Sequence, residues 1–274
     1  MNDAEFSIAE LTDDQLPAVV ELCADALDLP EDAAEAEAIV SRLHDASPLP
    51  GSAAPRRVVG AVAYAEGEPA GVAIGSISHR DASTGHIDLV AVHPRLRRRG
   101  VGRALLLHTE TALAAHGATQ VLLSGNPPHY VWPGIDVRYT PAVCTALALG
   151  YTPSGTAWNM TVELSDESAP ALRPTEAAER RLAERGVTVR RAVPADVPAL
   201  GEFARKHFGG AWDIELAHSI GRPDAGCHLA LRTATDGTAP EVLGFAAYGS
   251  CRPSWFGPMG TAPAAQGLGI GSVL

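Results

Sequence analysis

Residues 86–106 constrain this chain more than any other stretch. Ile87 to Val92 are apolar apart from Asp88, which suits a central strand covered on both faces. Pro94 cannot donate a ladder hydrogen bond, so the strand should stop near it. Arg97, Arg98, Arg99, Gly100, Val101, Gly102 and Arg103 then make a basic turn with two glycines. Glycine lets the backbone approach a ligand closely and take unusual dihedrals. Val101, Leu105 and Ala112 follow at helical spacing, so the turn should open a helix. The free N–H groups and positive dipole end of that helix favour a phosphate.

Known phosphate-binding patterns separate on the residues present. A P-loop needs Gly-x-x-x-x-Gly-Lys and a hydroxyl residue, and none occurs. The dinucleotide pattern needs a third Gly or Ala where Leu105 stands, and an acidic residue that the 120–125 segment does not provide. A third pattern, Arg/Gln-x-x-Gly-x-Gly/Ala at a strand-to-helix junction, fits residues 97–102. It fits a second time at Gln266, Gly267, Leu268, Gly269, Ile270 and Gly271, followed by Ser272.

This third pattern resembles motif A of the GNAT family of N-acetyltransferases. The resemblance implies a mixed, splayed β-sheet flanked by helices, an α/β (α+β) fold, here in tandem. It implies that amides of both turns hold the pyrophosphate of acetyl-coenzyme A (acetyl-CoA), with no metal. It also implies that N–H groups near Val90, Ala91 and Val92 meet the acetyl carbonyl, with Met259, Gly260 and Thr261 matching them in the second copy. A carboxylate on the same strand serves as base in some members. Asp88 is the counterpart, placed by alternation on the same face as Val90. The family's usual tyrosine, four residues before the glycine ending a later helix, falls at Ala146. Tyr139 and Tyr130 are the candidate replacements.

The chain reads as two copies of one domain. Phe6–Ile8 and Val187–Val189 each begin a copy, and Pro17 and Pro198 lie at matching places in the next helix. The offset there is 181 residues (198 minus 17), and at the glycine turns it is 169 (266 minus 97), as shorter loops in the second copy would give. The expected domains are 1–164, complete, and 187–274, incomplete and stopping within the motif A helix. Residues 165–186 should be a linker carrying a solvated helix. Thr12 with Gln15 suggests a capping box, 31–44 a helix, 57–64 and 70–78 strands, and Thr140-Pro141 a helix start. Residues 158–164 should close the first copy as a strand. We read the chain as a fragment of a longer protein. If it does end at Leu274, its bare strand edge calls for a partner chain, as in a homodimer.

At 274 residues there is room for two modest domains, and 46% hydrophobic with 19% charged residues fits globular cores rather than disorder. A net charge of −11 argues against general nucleic-acid binding and suits a cationic, amine-bearing small molecule. No apolar run approaches membrane-spanning length, and the acidic start lacks a signal peptide's basic region. Cys23, Cys144, Cys227 and Cys251 form no Cys-x-x-Cys pair, so buried free thiols in the cytoplasm are expected. The scattered histidines suggest no metal. The loop from Gly125 to Asp136 is aromatic and proline-stiffened, and we read it as a substrate wall with Trp132 and Asp136 facing the amine. The expected activity is N-acetylation of a small amine. Two alternatives are a non-catalytic acetyl-CoA-binding or sensing first copy, and acetylation of protein amines.

Overall fold

Strand β1 (Phe6–Glu10) opens a five-stranded sheet in the computed structural model, which describes residues 6–49, 52–165, 172–233 and 239–274. The chain divides into two units, 1–155 and 156–274, rather than near 165. In the first, Gln15 accepts the Thr12 N–H at 3.1 Å in a capping box, and α1 (Leu16–Ala26) follows with Pro17 in its first turn. Proline is tolerated there because its missing N–H would be unmet anyway. The 31–44 helix is two helices, α2 (Pro30–Ala33) and α3 (Ala36–His44). Strands β2 (Val58–Ala65) and β3 (Glu68–Ile77) are joined by Glu66 and Gly67, both left-handed (φ 55° and 87°), as a tight two-residue hairpin requires.

Strand β4 (Thr84–Val92) runs antiparallel to β3. Helix α4 (Val101–Ala115) crosses back, and β5 (Gln120–Leu122) pairs parallel to β4 at Thr84 to His86. The sheet is therefore mixed and splayed beyond His86. Leu105 and Val101 close on Gly71 of β3, where a Cβ would stand 3.0 Å from Leu105 Cδ1 and 2.9 Å from the Ala91 carbonyl. Only glycine permits so close a helix–sheet approach. Helix α5 (Thr140–Ala148) ends before Gly150, whose φ is 92°.

The expected strand at 158–164 does not form. Trp158, Met160, Val162 and Leu164 are all exposed, Met160 at 95%. Alternating apolar residues favour a strand only when a neighbouring strand and a core face receive them. Helix α6 (Glu176–Ala183) is not a solvated linker, because Leu182 is buried in the core of the second unit.

The second unit is an antiparallel sheet in the order β6 (Val187–Arg191), β7 (Gly226–Arg232), β8 (Glu241–Tyr248) and β9 (Phe256–Thr261). Helices α7 (Val197–His207) and α8 (Trp212–Ser219) lie between β6 and β7 in sequence. The 169-residue offset holds in three dimensions. Leu274 approaches Gly244 of β8 as Leu105 approaches Gly71, and Gly244 faces the Gly260 carbonyl as Gly71 faces that of Ala91. The turn leads here into a short 3-10 helix, Ile270–Ser272.

Candidate active site

The site begins with a bulge. Ile74 of β3 pairs with Leu89 and Gly75 with Ile87, so Asp88 is an extra residue in β4. A bulge resets strand alternation. Leu89 and Ala91 pack in the core with α1 and α3, whereas Val90 and Val92 pack with Val101 and Leu105 of α4. Asp88 reaches Ser76, whose partner across the sheet is His86. It therefore does not share the Val90 face, as simple alternation implied.

Asp88 is 5% exposed. Ser76 Oγ donates to its Oδ2 at 2.7 Å and the Asn126 N–H to its Oδ1 at 3.0 Å. Burial pushes its carboxyl up to about 7, against the opposing pull of Ser76, the Arg56 charge and Asn126. A carboxylate that titrates near neutrality is matched to take a proton from an amine. His86 next to it is held low by burial, with the Ser124 carbonyl at 3.1 Å opposing.

Beyond Asp88 the strand offers its edge. The His93 N–H donates to the Ala70 carbonyl, so the Val90 and Val92 N–H groups point to the other side. On that side β5 pairs only as far as His86. The turn after Val92 has Arg98 and Gly100 left-handed (φ 64° and 85°). The first bond along α4 runs from the Ala104 N–H to the Gly100 carbonyl at 2.9 Å, and no side chain caps the helix. The N–H groups of Val101, Gly102 and Arg103 thus end a 15-residue helix facing an open turn. A Cβ on Gly102 would stand 3.4 Å from Val92 Cγ2, so a methyl fits there in ordinary contact. Arg98, Arg99 and Arg103 are exposed around it.

Arg97 is committed elsewhere. Its guanidinium donates to Asp28 at 3.0 and 3.1 Å, to the Ala26 carbonyl at 2.8 Å and to the Val92 carbonyl at 3.2 Å. It ties the turn to the end of α1, which leaves only its main chain for a phosphate. Asp136 is likewise engaged: Arg138 holds both its oxygens, at 2.8 to 3.2 Å. Tyr139 and Trp132 converge on a carboxylate that the sequence did not single out. Asp32, 2% exposed, accepts from Tyr139 Oη at 2.9 Å and from Trp132 Nε1 at 3.3 Å. Burial and the nearby Asp32 and Asp28 charges push the Tyr139 hydroxyl up, against the Leu29 N–H. Tyr130 is half-buried in a loop closed by the Gly125 N–H on the Trp132 carbonyl at 2.8 Å. Val131 of that loop is fully buried in the first unit's core, so packing fixes its path.

The second unit repeats the backbone without the acid. Ala246 pairs with Met259 and Tyr248 with Phe256, which puts a bulge at the matching place in β9. Gly257 stands there, 169 residues after Asp88. Gly267 and Gly269 are left-handed (φ 79° and 85°) where the first turn has Arg98 and Gly100. The Phe208 ring lies over Gly260, 2.5 Å from where a Cβ would be, and Met259 and Thr261 flank it. Gln266 and Gly271 are exposed, and Ser272 Oγ donates to the Gly269 carbonyl at 2.7 Å. Leu268 is half-buried and Ile270 buried.

Residues 23–129, which carry the bulge, the cradle and α4, match the family model described as Acetyltransferase (GNAT) family. The first unit belongs to the GNAT family of N-acetyltransferases. Members of this family use acetyl-CoA, so the cradle and the splayed edge of β4 in this GNAT unit are of the right kind for that donor. Two solved structures resemble nearly the whole chain. One is a tandem GNAT protein from the clavulanic acid biosynthesis pathway, 17% identical with TM-score 0.59, over 98% of this chain and 83% of that one. The other is a GCN5-related glucosamine N-acetyltransferase region of a fungal multi-domain GH3 β-N-acetylglucosaminidase. It is 18% identical with TM-score 0.64, over 98% of this chain and 33% of that one. At such identities the likeness is one of fold, and it extends to both units. A search of curated proteins returned no match.

Among the described residues no helix is long and apolar enough to cross a membrane, and no group of three metal-ligating side chains occurs. Cys23, Cys227 and Cys251 are buried and outside any disulfide, but Cys144 is exposed, contrary to expectation. Asn126, Ser76, Arg56 and Asp32 were missed from sequence. Each is one polar residue in an unremarkable context, placed only by the fold.

Proposed function

We propose that the first unit transfers an acetyl group from acetyl-CoA to the nitrogen of a small amine. The observation that carries this reading is a strand that holds a buried carboxylate, pushed up to about 7 by burial, and an unpaired edge, and that leads into a helix N-terminus without a side-chain cap. The turn amides at Arg98 to Arg103 hold the pyrophosphate, with Arg98, Arg99 and Arg103 adding charge. Four rises of about 3.3 Å separate Asp88 from Val92, so the donor's arm lies along β4 for roughly 13 Å. The Val90 and Val92 N–H groups orient the acetyl carbonyl and receive charge as its oxygen becomes an oxyanion.

The amine nitrogen bonds to the carbonyl carbon, Asp88 accepts the amine's proton, and the carbon–sulfur bond breaks with the electron pair leaving on sulfur. Tyr139 is poorly placed as the acid for that thiolate because its hydroxyl is committed to Asp32, to which it donates at 2.9 Å. Tyr130 or solvent takes that role.

Gly257 speaks against the alternative in which the second copy does the chemistry and the first only senses donor. The second unit, with Gln266 to Ser272 as its turn, is read as a donor-binding or structural partner. The four cysteines form no disulfide, which suits the cytoplasm. The test is thiol release from acetyl-CoA with a panel of small amines and a lysine peptide. Turnover with the peptide alone, or persistence of full turnover in Asp88→Asn, would sink the reading.

A further inference from the structure

The first unit has another opening, at the end of β4 remote from the glycine turn. A cavity of about 220 Å³ lies between the chain leading into β2, the β3–β4 connection and the segment after β5. Arg56, Arg57, His79 and Asn126 stand on its wall, and none of the described residues lining it is a carboxylate, in a chain of net charge −11.

Two buried polar atoms on this wall have no hydrogen-bond partner: Nη2 of Arg56 and Oδ1 of Asn126. Asn126 is 2% exposed and otherwise fully anchored. Its Nδ2 donates to Ser76 Oγ at 2.9 Å and to the Ile77 carbonyl at 3.0 Å, and its main-chain N–H donates to Asp88. The amide's nitrogen is thereby fixed, and its oxygen is the end left open. Arg56 is fixed on one side as well, by Nη1 donating to the Asp45 carbonyl, and it lies within the electrostatic reach of the Asp88 and Asp45 carboxylates. Its charge is thus balanced in part, while Nη2 has no hydrogen-bond partner. A buried cationic donor and a buried acceptor, both unmet, are rare in a folded protein and call for an explanation. A ligand carrying an anion and an amine supplies both partners.

We propose that this cavity is the acceptor subsite, and that it selects an amine bearing a carboxylate, of the amino-acid kind. The carboxylate meets Arg56, and the amine lies at Asn126 Oδ1 within reach of Asp88. The inference rests on the acetyl-transfer reading and adds the acceptor's class to it. Donor and acceptor then enter from opposite ends of β4 and meet at its bulge. A guanidinium suits this role because its planar fork matches a carboxylate.

The test uses the full chain and pairs of acceptors: amino acids beside their methyl esters and their decarboxylated amines. Thiol release gives kcat/KM for each, and calorimetry on the coenzyme A-saturated chain gives binding without turnover. A free carboxylate should improve kcat/KM and affinity by about tenfold or more. Arg56→Met should bring the pairs close to parity, and Arg56→Lys should restore part of the preference. Equal values for acid and ester in the native chain, or a preference that survives Arg56→Met, would overturn the subsite. Failure to bind acetyl-CoA would instead overturn the acetyl-transfer reading beneath it. The native-chain comparison decides alone if a variant does not fold.

Discussion

The Asn126 N–H donates to Asp88 Oδ1 at 3.0 Å, across the gap where β5 has parted from β4. One bond thus joins the segment after β5 to the extra residue of the β4 bulge. Together with Ser76 on Oδ2 it sets the orientation of the carboxylate proposed as the base.

Burial pushes that carboxyl up to about 7, and the direction of its effects follows. As a base it works when ionised, so kcat/KM should rise with pH through about 7. Asp88→Asn should flatten this limb and lower kcat by about 10²- to 10⁴-fold. A pH–rate profile for both proteins checks it, and a rising limb retained in the variant counts against Asp88.

Stability should move the opposite way. The folded carboxyl is raised above its ordinary value near 4, so folding favours the protonated form. That stabilisation is complete below about pH 4 and is lost as pH rises through about 7. Asp88→Asn, being neutral throughout, should gain on the native chain across this window in urea denaturation at stepped pH. A gap between them that does not change with pH would contradict the assignment.

Substitutions at Gly102 should separate folding from donor binding. Gly102→Ala has room beside Val92 and should be neutral or stabilising by up to about 1 kcal/mol. Gly102→Trp should keep the fold and lower acetyl-CoA affinity by about 100-fold or more, because the indole occupies the space the diphosphate needs. Calorimetry with circular dichroism reads both effects.

Tyr139→Phe should act on stability before catalysis. It leaves Asp32, at 2% exposure, with one fewer donor, at a cost of about 1–3 kcal/mol. Thermal and chemical melts measure this. A fall in kcat with unchanged stability would instead make the phenol the acid for the leaving thiolate.

Arg97→Ala should likewise register as a loosened turn. Its bonds to Asp28 and to the Ala26 and Val92 carbonyls are partly exposed, so the loss should be about 1–2 kcal/mol. A large drop in acetyl-CoA affinity with no change in stability would show that its charge serves the ligand directly.

Much of this architecture was legible because its signals are local. The apolar run at Ile87 to Val92, the stop at Pro94 and the glycines at 100 and 102 fix strand, turn and helix without distant help. The repeat was legible for the same reason. The Asp88 face was not, because a bulge is a mismatch between two strands and is invisible in either alone. Residues 158–164 misled because alternation records a capacity for pairing and not the presence of a partner. Tyr139, Trp132 and Asp136 were located in the chain, but their partners Asp32 and Arg138 follow from tertiary packing and local geometry that composition cannot give.

Arg98 holds a left-handed backbone at φ 64°, where Gly267 adopts φ 79° at no steric cost. A side chain in that region carries about 1–2 kcal/mol of conformational strain. The first turn therefore holds a cation at a conformational cost, and the second carries neither the cation nor the strain. Arg98→Gly should yield a tougher protein with a weaker grip on a polyanion. The difference between the two halves would then be written in one torsion angle: one half tense, the other at rest.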